Sequence, residues 1–125
     1  MNLNHVTVCV TAMAPALAFY QLLGLKQIVL NEHYARFVLP DGDATISIEL
    51  KDHASSGAVP AICFECEDID AQAQRLENAG VVFEMAPTDM PWRWREARLR
   101  DPSGNLIYLY WAGEMRKNPP WRLPD

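Results

Sequence analysis

The amino-acid sequence contains two copies of one pattern. The segment HVTVCVTAMAPALAFYQLLGL, starting at His5, falls after a shift of 56 residues on AICFECEDIDAQAQRLENAGV, starting at Ala61. In this alignment Val8 meets Phe64, Met13 meets Ile69, Gly24 meets Gly80 and Leu25 meets Val81. A repeat of this length constrains the architecture before any single element is assigned, because each copy has to fold as the same supersecondary unit. The copies also differ in a chemically pointed way: where the first has His5, the second has Ala61.

Each copy reads as a strand, a helix closed by glycine, and three further strands. In the first copy, residues 6–10 alternate and are β-branched, as a strand requires. Thr11 is the candidate N-cap, Pro15 sits near the first helical turn, and Leu17, Tyr20 and Gly24 fall at helical spacing with Gly24 as terminator. Residues 26–31 and 34–39 read as strands, Asp41-Gly42 as a turn, and Thr45–Leu50 as a cleanly alternating fourth strand. A polar linker spans 51–59. In the second copy residues 61–66 read as a strand. Asp68 or Asp70 caps a helix that turns Ile69, Ala73 and Leu76 to the core and ends at Gly80. Residues 81–85 form a strand, APTDMPWRWRE a long loop, 97–100 a short strand, and Asp101-Pro102-Ser103-Gly104 a turn into Leu106–Trp111. The expected fold class is α+β: one domain over 1–125, made of two tandem βαβββ units at 1–50 and 60–112. A proline-rich tail over 113–125 follows, with Trp121 as its anchor.

Composition narrows the function. At 125 residues the chain can bury roughly two-thirds of its unfolded surface without help from a disulfide or a structural metal. A net charge of −5 speaks against nucleic acid, which needs a basic face to displace counterions. The acidic cluster Glu65, Glu67, Asp68, Asp70 and the basic cluster Arg93, Arg95, Arg98, Arg100 fit a small ligand better than a polymer. Three cysteines, Cys9, Cys63 and Cys66, read as reduced thiols in a cytoplasmic protein. The CxxC spacing of Cys63 and Cys66 falls in a strand, which directs the two sulfurs to opposite faces. Residues 6–25 carry no charge and could span a bilayer by length. They contain Thr7, Thr11, Pro15, Gln21 and Gly24, however, and the second copy of the run is charged, so a buried strand and helix explain them better than a membrane span.

The two βαβββ units, the FECEDIDAQAQRLENAGV segment, the terminal DPSGNLIYLY and the IEL that closes the first unit together resemble the glyoxalase/bleomycin resistance/dioxygenase superfamily, the vicinal oxygen chelate proteins. The resemblance covers about residues 2–112. It implies that each unit curls its sheet into a half-barrel, and that the two half-cups, often paired across a homodimer, enclose a small-molecule ligand. It also implies a divalent metal (zinc, nickel, manganese or iron) held by the first and fourth strands of each unit and acting as a Lewis acid. Carried over position by position, the ligands would be His5 and Glu49 in unit one and Ala61 and Tyr108 in unit two. Ala61 has no donor, and a neutral tyrosine is a poor ligand, so the four-residue set is incomplete against the three protein ligands a catalytic zinc wants. The glyoxalase I pattern is thereby broken. Cys63, two residues beyond Ala61, would complete a softer set only if the ion moved roughly 6–7 Å along the strand. The competing expectation is that His5 and Glu49 are a hydrogen-bonded polar pair inside the cup.

Aromatics crowd the second unit: Trp92, Trp94, Tyr108, Tyr110 and Trp111. Some of them fill core or an interface. Trp92 and Trp94 lie on a loop with Arg93 and Arg95, and such a loop could close as a lid that stacks on a ligand and pairs with its anion. Arg95 or Glu96 should enter the cup, with Arg36 from the matching strand of unit one. His33 and His53 read as exposed loop histidines. Two functions survive. One is a metal-independent binding protein that takes an aromatic or amphiphilic molecule on Trp92, Trp94, Arg95, Tyr108, Arg36 and Cys63. The other is a lyase, isomerase or dioxygenase using His5 and Glu49 as ligands and Glu65 or Tyr108 as acid or base. Whether the chain is an enzyme stays open at this point.

Overall fold

The computed structural model describes residues 1–125. The elements follow in the order β1 (His5–Val10), α1 (Met13–Leu22), β2 (Lys26–Leu30), β3 (Tyr34–Val38), β4 (Thr45–Leu50), β5 (Ala61–Glu65), α2 (Ile69–Asn78), β6 (Phe83–Asp89), β7 (Arg95–Arg100) and β8 (Leu106–Trp111). They form two four-stranded mixed sheets of identical topology, β1-β4-β3-β2 and β5-β8-β7-β6. This is the tandem βαβββ arrangement expected from the repeat. By its internal contacts the chain divides into one unit of Met1–Pro60 with Asp101–Asn105, and a second of Ala61–Arg100 with Leu106–Asp125. The linker over 51–59 therefore folds with the first unit.

In unit one β1 runs parallel to β4, and β3 lies antiparallel between β4 and β2. Period-two alternation sends Val8, Val10, Ala35, Phe37, Ile46 and Ile48 to the buried face. Against it α1 places Ala16, Phe19 and Tyr20, with the Tyr20 ring 5.8 Å from that of Phe37. The Tyr20 hydroxyl donates to Asp101 Oδ2 at 2.7 Å. Asp101 also accepts from the backbone N–H groups of Ser103 and Asn105 and from Asn105 Nδ2, and Nδ2 in turn donates to the Cys9 carbonyl at 2.7 Å. The DPSGN turn thus completes the first unit.

Unit two repeats the plan. Ile69, Ala73 and Leu76 of α2 are buried, and Ala97, Leu99, Ile107 and Leu109 are buried apolar residues of the sheet. The two helices end identically. Gly24 and Gly80 take φ of +98° and +95°, which a side chain would resist. Their N–H groups bond Gln21 and Glu77 carbonyls at 2.9 Å, and the next residues bond back to Tyr20 and Leu76, the double bond of a Schellman end.

Two local expectations are corrected, and the choice of α2 cap is decided. Thr11 does not cap α1: the N-cap is Ala12, with no side-chain bond, and the Thr11 N–H is taken by Ser103 Oγ at 2.9 Å. In α2 the cap is Asp68, accepting from the Ala71 N–H at 3.1 Å, while Asp70 lies in the first turn. Residues 86–89, read as loop, belong to β6, and β7 begins at Arg95, so the long loop shrinks to a turn over 90–94. Pro87 is tolerated because β6 is an edge strand whose pairing with β7 shifts register on either side of Met85. The tail forms a short 3₁₀ turn at Gly113–Arg116 and then runs without regular structure, with the Arg93 guanidinium 5.8 Å from the Trp121 ring.

Candidate functional site

Each sheet has a second face, opposite its helix, and there the polar residues collect. In unit one this face carries His5, Thr7 and Cys9 of β1, Thr45, Ser47 and Glu49 of β4, and Tyr34 and Arg36 of β3. Strand register fixes who meets whom: His5 lies opposite Thr45, Thr7 opposite Ser47, and Cys9 opposite Glu49. His5 and Glu49 are therefore four residues apart along the ladder, roughly 13 Å, and the expected pair is not formed. Glu49 instead meets Lys51 at 3.1 Å. His5 Nδ1 contacts Thr45 Oγ1 at 2.5 Å, and its Nε2 lies 3.3 Å from both Thr7 Oγ1 and Ser47 Oγ. Ser47, fully buried, contacts the Tyr34 hydroxyl at 2.5 Å, and Arg36 Nε donates to that hydroxyl at 2.8 Å.

An arginine N–H can only donate, so the Tyr34 oxygen accepts from Arg36 Nε. The Ser47 bond, followed by Arg36, holds the Tyr34 hydroxyl below the usual tyrosine pKa.

In unit two the corresponding face carries Ala61, Cys63 and Glu65 of β5, Tyr108 and Tyr110 of β8, and Glu96 and Arg98 of β7. Cys63 lies opposite Tyr108, Glu65 opposite Tyr110, and Tyr110 and Tyr108 opposite Glu96 and Arg98. Comparing the two ladders corrects the positional mapping. Tyr108 occupies the place of Ser47, and the counterpart of Glu49 is Tyr110.

Aromatic and charged groups interlock here. Trp94 stacks on Tyr110 with centroids 4.7 Å apart and planes 21° from parallel. The Arg98 guanidinium sits 4.7 Å from the Tyr108 ring centroid. Glu96, only 3% exposed, accepts from Trp92 Nε1 at 2.8 Å and from Arg98 Nη2 at 3.2 Å. Arg98 Nε is buried without a hydrogen-bond partner. Burial, then the Glu96 charge, pushes the Cys63 thiol up, and burial with Glu65 does the same to the Tyr110 hydroxyl. Glu65 also accepts from the Ala112 N–H at 3.4 Å.

Two further expectations change. Of Arg95 and Glu96, it is Glu96 that shares this face. Arg95 turns to the helix side, where it bonds Asp70 at 2.7 and 2.9 Å and Asp89 at 3.0 Å, so its fork is already filled. The turn over 90–94 is fastened by Trp92 on Glu96, Trp94 on Tyr110 and the Met90 N–H on the Trp94 carbonyl at 2.7 Å, which does not suit a free lid. Sequence reasoning passed over Tyr34, Ser47, Thr7 and Thr45. Their signal was the period-two alternation of YARFV and TISIEL, in which Ser47 is a polar residue between two buried isoleucines.

The sequence model of the Glyoxalase/Bleomycin resistance protein/Dioxygenase superfamily matches residues 2–109. The chain belongs to this superfamily. Solved structures agree in fold. A superfamily member from Sphaerobacter thermophilus DSM 20745 is 27% identical, with a TM-score of 0.73 over 88% of this chain and 96% of that one. Lactoylglutathione lyase from Agrobacterium tumefaciens is 17% identical, with a TM-score of 0.77 over 94% and 96%. A bleomycin-binding protein complexed with bleomycin is 17% identical, with a TM-score of 0.72 over 89% and 98%. No curated protein matches the chain.

Superfamily membership raises the question of a metal, and the donor set answers poorly. No three His, Cys, Asp or Glu side chains gather where one ion could reach them. His5 Nε2 faces hydroxyls, and Glu49 is displaced along the ladder. The four positions by register are His5, Ser47, Ala61 and Tyr108, a set with one good ligand. No helix is long and apolar enough to cross a membrane.

Proposed function

We propose that this superfamily member is a small-molecule-binding protein that takes an aromatic or amphiphilic ligand on the polar face of its second sheet, without a metal. The observation that carries this reading is the Trp94–Tyr110 stack beside the Arg98–Tyr108 pair, in which Tyr108 takes a position that the family resemblance assigns to a metal ligand. A stacked aromatic pair offers another ring a flat surface worth about 0.5–1.5 kcal/mol beyond its area. The unpartnered Arg98 Nε is a donor whose burial costs about 1–3 kcal/mol until an acceptor arrives, so a ligand oxygen there would be favoured. Cys63, an exposed neutral thiol, and Trp92 supply the rim. The fold of the bleomycin-bearing structure supports a sequestering role. We further propose a homodimer, with the exposed Trp121 and Leu123 of the tail at the contact. The metal-dependent lyase or dioxygenase reading draws no support from the placement of His5 and Glu49.

The test is quenching of tryptophan emission by bleomycin and by a panel of aromatic amphiphiles, in chelator and with added zinc, with light scattering for the dimer. Saturable quenching that survives chelator and weakens about tenfold in Trp94→Leu or Tyr110→Leu, but not in Trp121→Phe, is expected. Binding indifferent to Trp94 and Tyr110, or binding that chelator abolishes, would overturn the proposal.

A further inference from the structure

Four of the eight arginines of this chain are paired with carboxylates. Arg95 pairs with Asp70 and Asp89, Arg98 with Glu96, Arg100 with Glu84, and Arg122 with Asp125. Arg36 is different. It stands on the polar face of the first sheet with no carboxylate partner, although the chain carries sixteen acidic residues. It is also not loose. Its Nε–H is held by the Tyr34 oxygen, and its carbon lies 5.5 Å from the Tyr34 ring centroid. Tyr34 is in turn held by buried Ser47, and Ser47 by His5, which Thr45 fixes from the other side.

We propose that Arg36 is the anchor of an oxyanion subsite on unit one, and that the occupant is a monoanionic carboxylate. The hydroxyl chain consumes one guanidinium donor and leaves the two terminal nitrogens free. Their end-on fork matches the two oxygens of a carboxylate. Pinning Nε removes much of the rotamer freedom an arginine otherwise loses on binding, so the guanidinium is preorganised. Charge sets the valence. Glu49 lies on the same face, opposite Tyr34 in register, and is balanced by Lys51. One unpaired cation remains, which accommodates one negative charge and disfavours a dianion. Tyr34 and Ser47 are positioning residues: they touch Arg36 or each other, not the ligand. This subsite is independent of the aromatic face of unit two, and neither proposal requires the other.

The experiment is a titration of ¹⁵N-arginine-labelled and uniformly labelled protein with acetate, and separately with inorganic phosphate at pH 8, against chloride at matched ionic strength. The Arg36 Nε–H resonance, identified by its loss in Arg36→Gln, should shift saturably with acetate at millimolar concentration. Phosphate should bind at least fivefold more weakly. In Arg36→Gln the backbone amides of Tyr34 and Ser47 should lose their response, while Arg122→Gln behaves as wild type. Tyr34→Phe should weaken acetate binding about threefold to tenfold and speed solvent exchange of the Arg36 Nε–H. An acetate response equal to that of chloride, or one unchanged in Arg36→Gln, would overturn the subsite. Phosphate binding as tight as acetate would overturn its assignment to a monoanion.

Discussion

Replacing Tyr20 by Phe tests how the first unit is closed. Tyr20 is fully buried, and its hydroxyl donates to Asp101, itself 4% exposed. Asp101 has no cation beside it. Its charge is held by four donors at 2.7–2.9 Å: the Tyr20 hydroxyl, two backbone N–H groups and Asn105 Nδ2. Phe keeps the ring contacts with Phe19 and Phe37 and removes one of those four donors. Hydrogen bonds to charged groups are worth about 1.5–3 kcal/mol, so unfolding in urea at pH 7 should show a loss of about 2 kcal/mol with the m-value unchanged. Asp101→Asn should cost more, since its amide would face donors with a donor. A second signature is the alkaline limb. Burial, then the Asp101 charge, raises the Tyr20 pKa far above its ordinary 10.0. Above pH 10 the unfolded chain releases this proton and the folded chain keeps it, so the unfolded state binds fewer protons and stability falls as pH rises. The slope for one such group approaches about 1.4 kcal/mol per pH unit. Tyr20→Phe should flatten that limb by this amount. A loss below about 0.5 kcal/mol together with an unchanged alkaline slope would refute the reasoning.

Other outcomes can be checked alongside. Cys66, pushed up to about 11 by burial and then by Asp68 and Glu65, should react with iodoacetamide at pH 8 on the order of 100-fold more slowly than a free thiol. Timed alkylation read by mass spectrometry decides this, and equal rates would contradict the environment described. In a spectrophotometric titration of tyrosinate, the transition that disappears in Tyr34→Phe should lie below pH 10. Arg93 holds φ of 65°, a left-handed conformation that costs a side chain about 1–2 kcal/mol, against about 0.5 kcal/mol for its contact with Trp121. Arg93→Gly should therefore raise the melting temperature by a few degrees. Calorimetry of chelator-treated protein should find zinc, nickel, manganese and iron(II) binding weaker than about 100 μM, roughly 5.5 kcal/mol, and unaltered in His5→Ala. One tight ion per chain, lost in that variant, would restore the chelating reading.

The repeat made the fold legible, because strand alternation and the two closing glycines are local signals. What was not legible depended on register. Whether His5 meets Glu49 turns on how β1 and β4 align, and a slide of two residues keeps every side chain on the same face while changing all its neighbours. The same ambiguity equated Tyr108 with Glu49. The end of β6 was missed because Pro87 argues against a strand, and only its place at the sheet edge with shifted pairing makes it harmless. Arg95 and Glu96 were correctly seen to diverge, but nothing local tells which of them the helix side claims. That depended on Asp70, twenty-five residues earlier in the chain.

The placement of the Asp101–Asn105 turn has a consequence for how such a chain can be altered by descent. The halves of the sequence are not the halves of the structure: a stretch encoded late in the second copy finishes the first. Recombination that exchanged second copies between relatives would transplant this stretch as well, and would succeed only where the incoming turn still offers a carboxylate to Tyr20 and an amide to the Cys9 carbonyl. The turn is thus inherited on behalf of a partner it does not adjoin in sequence. The two copies are free to diverge on their polar faces, as His5 and Ala61 have, while this one stretch binds their fates together.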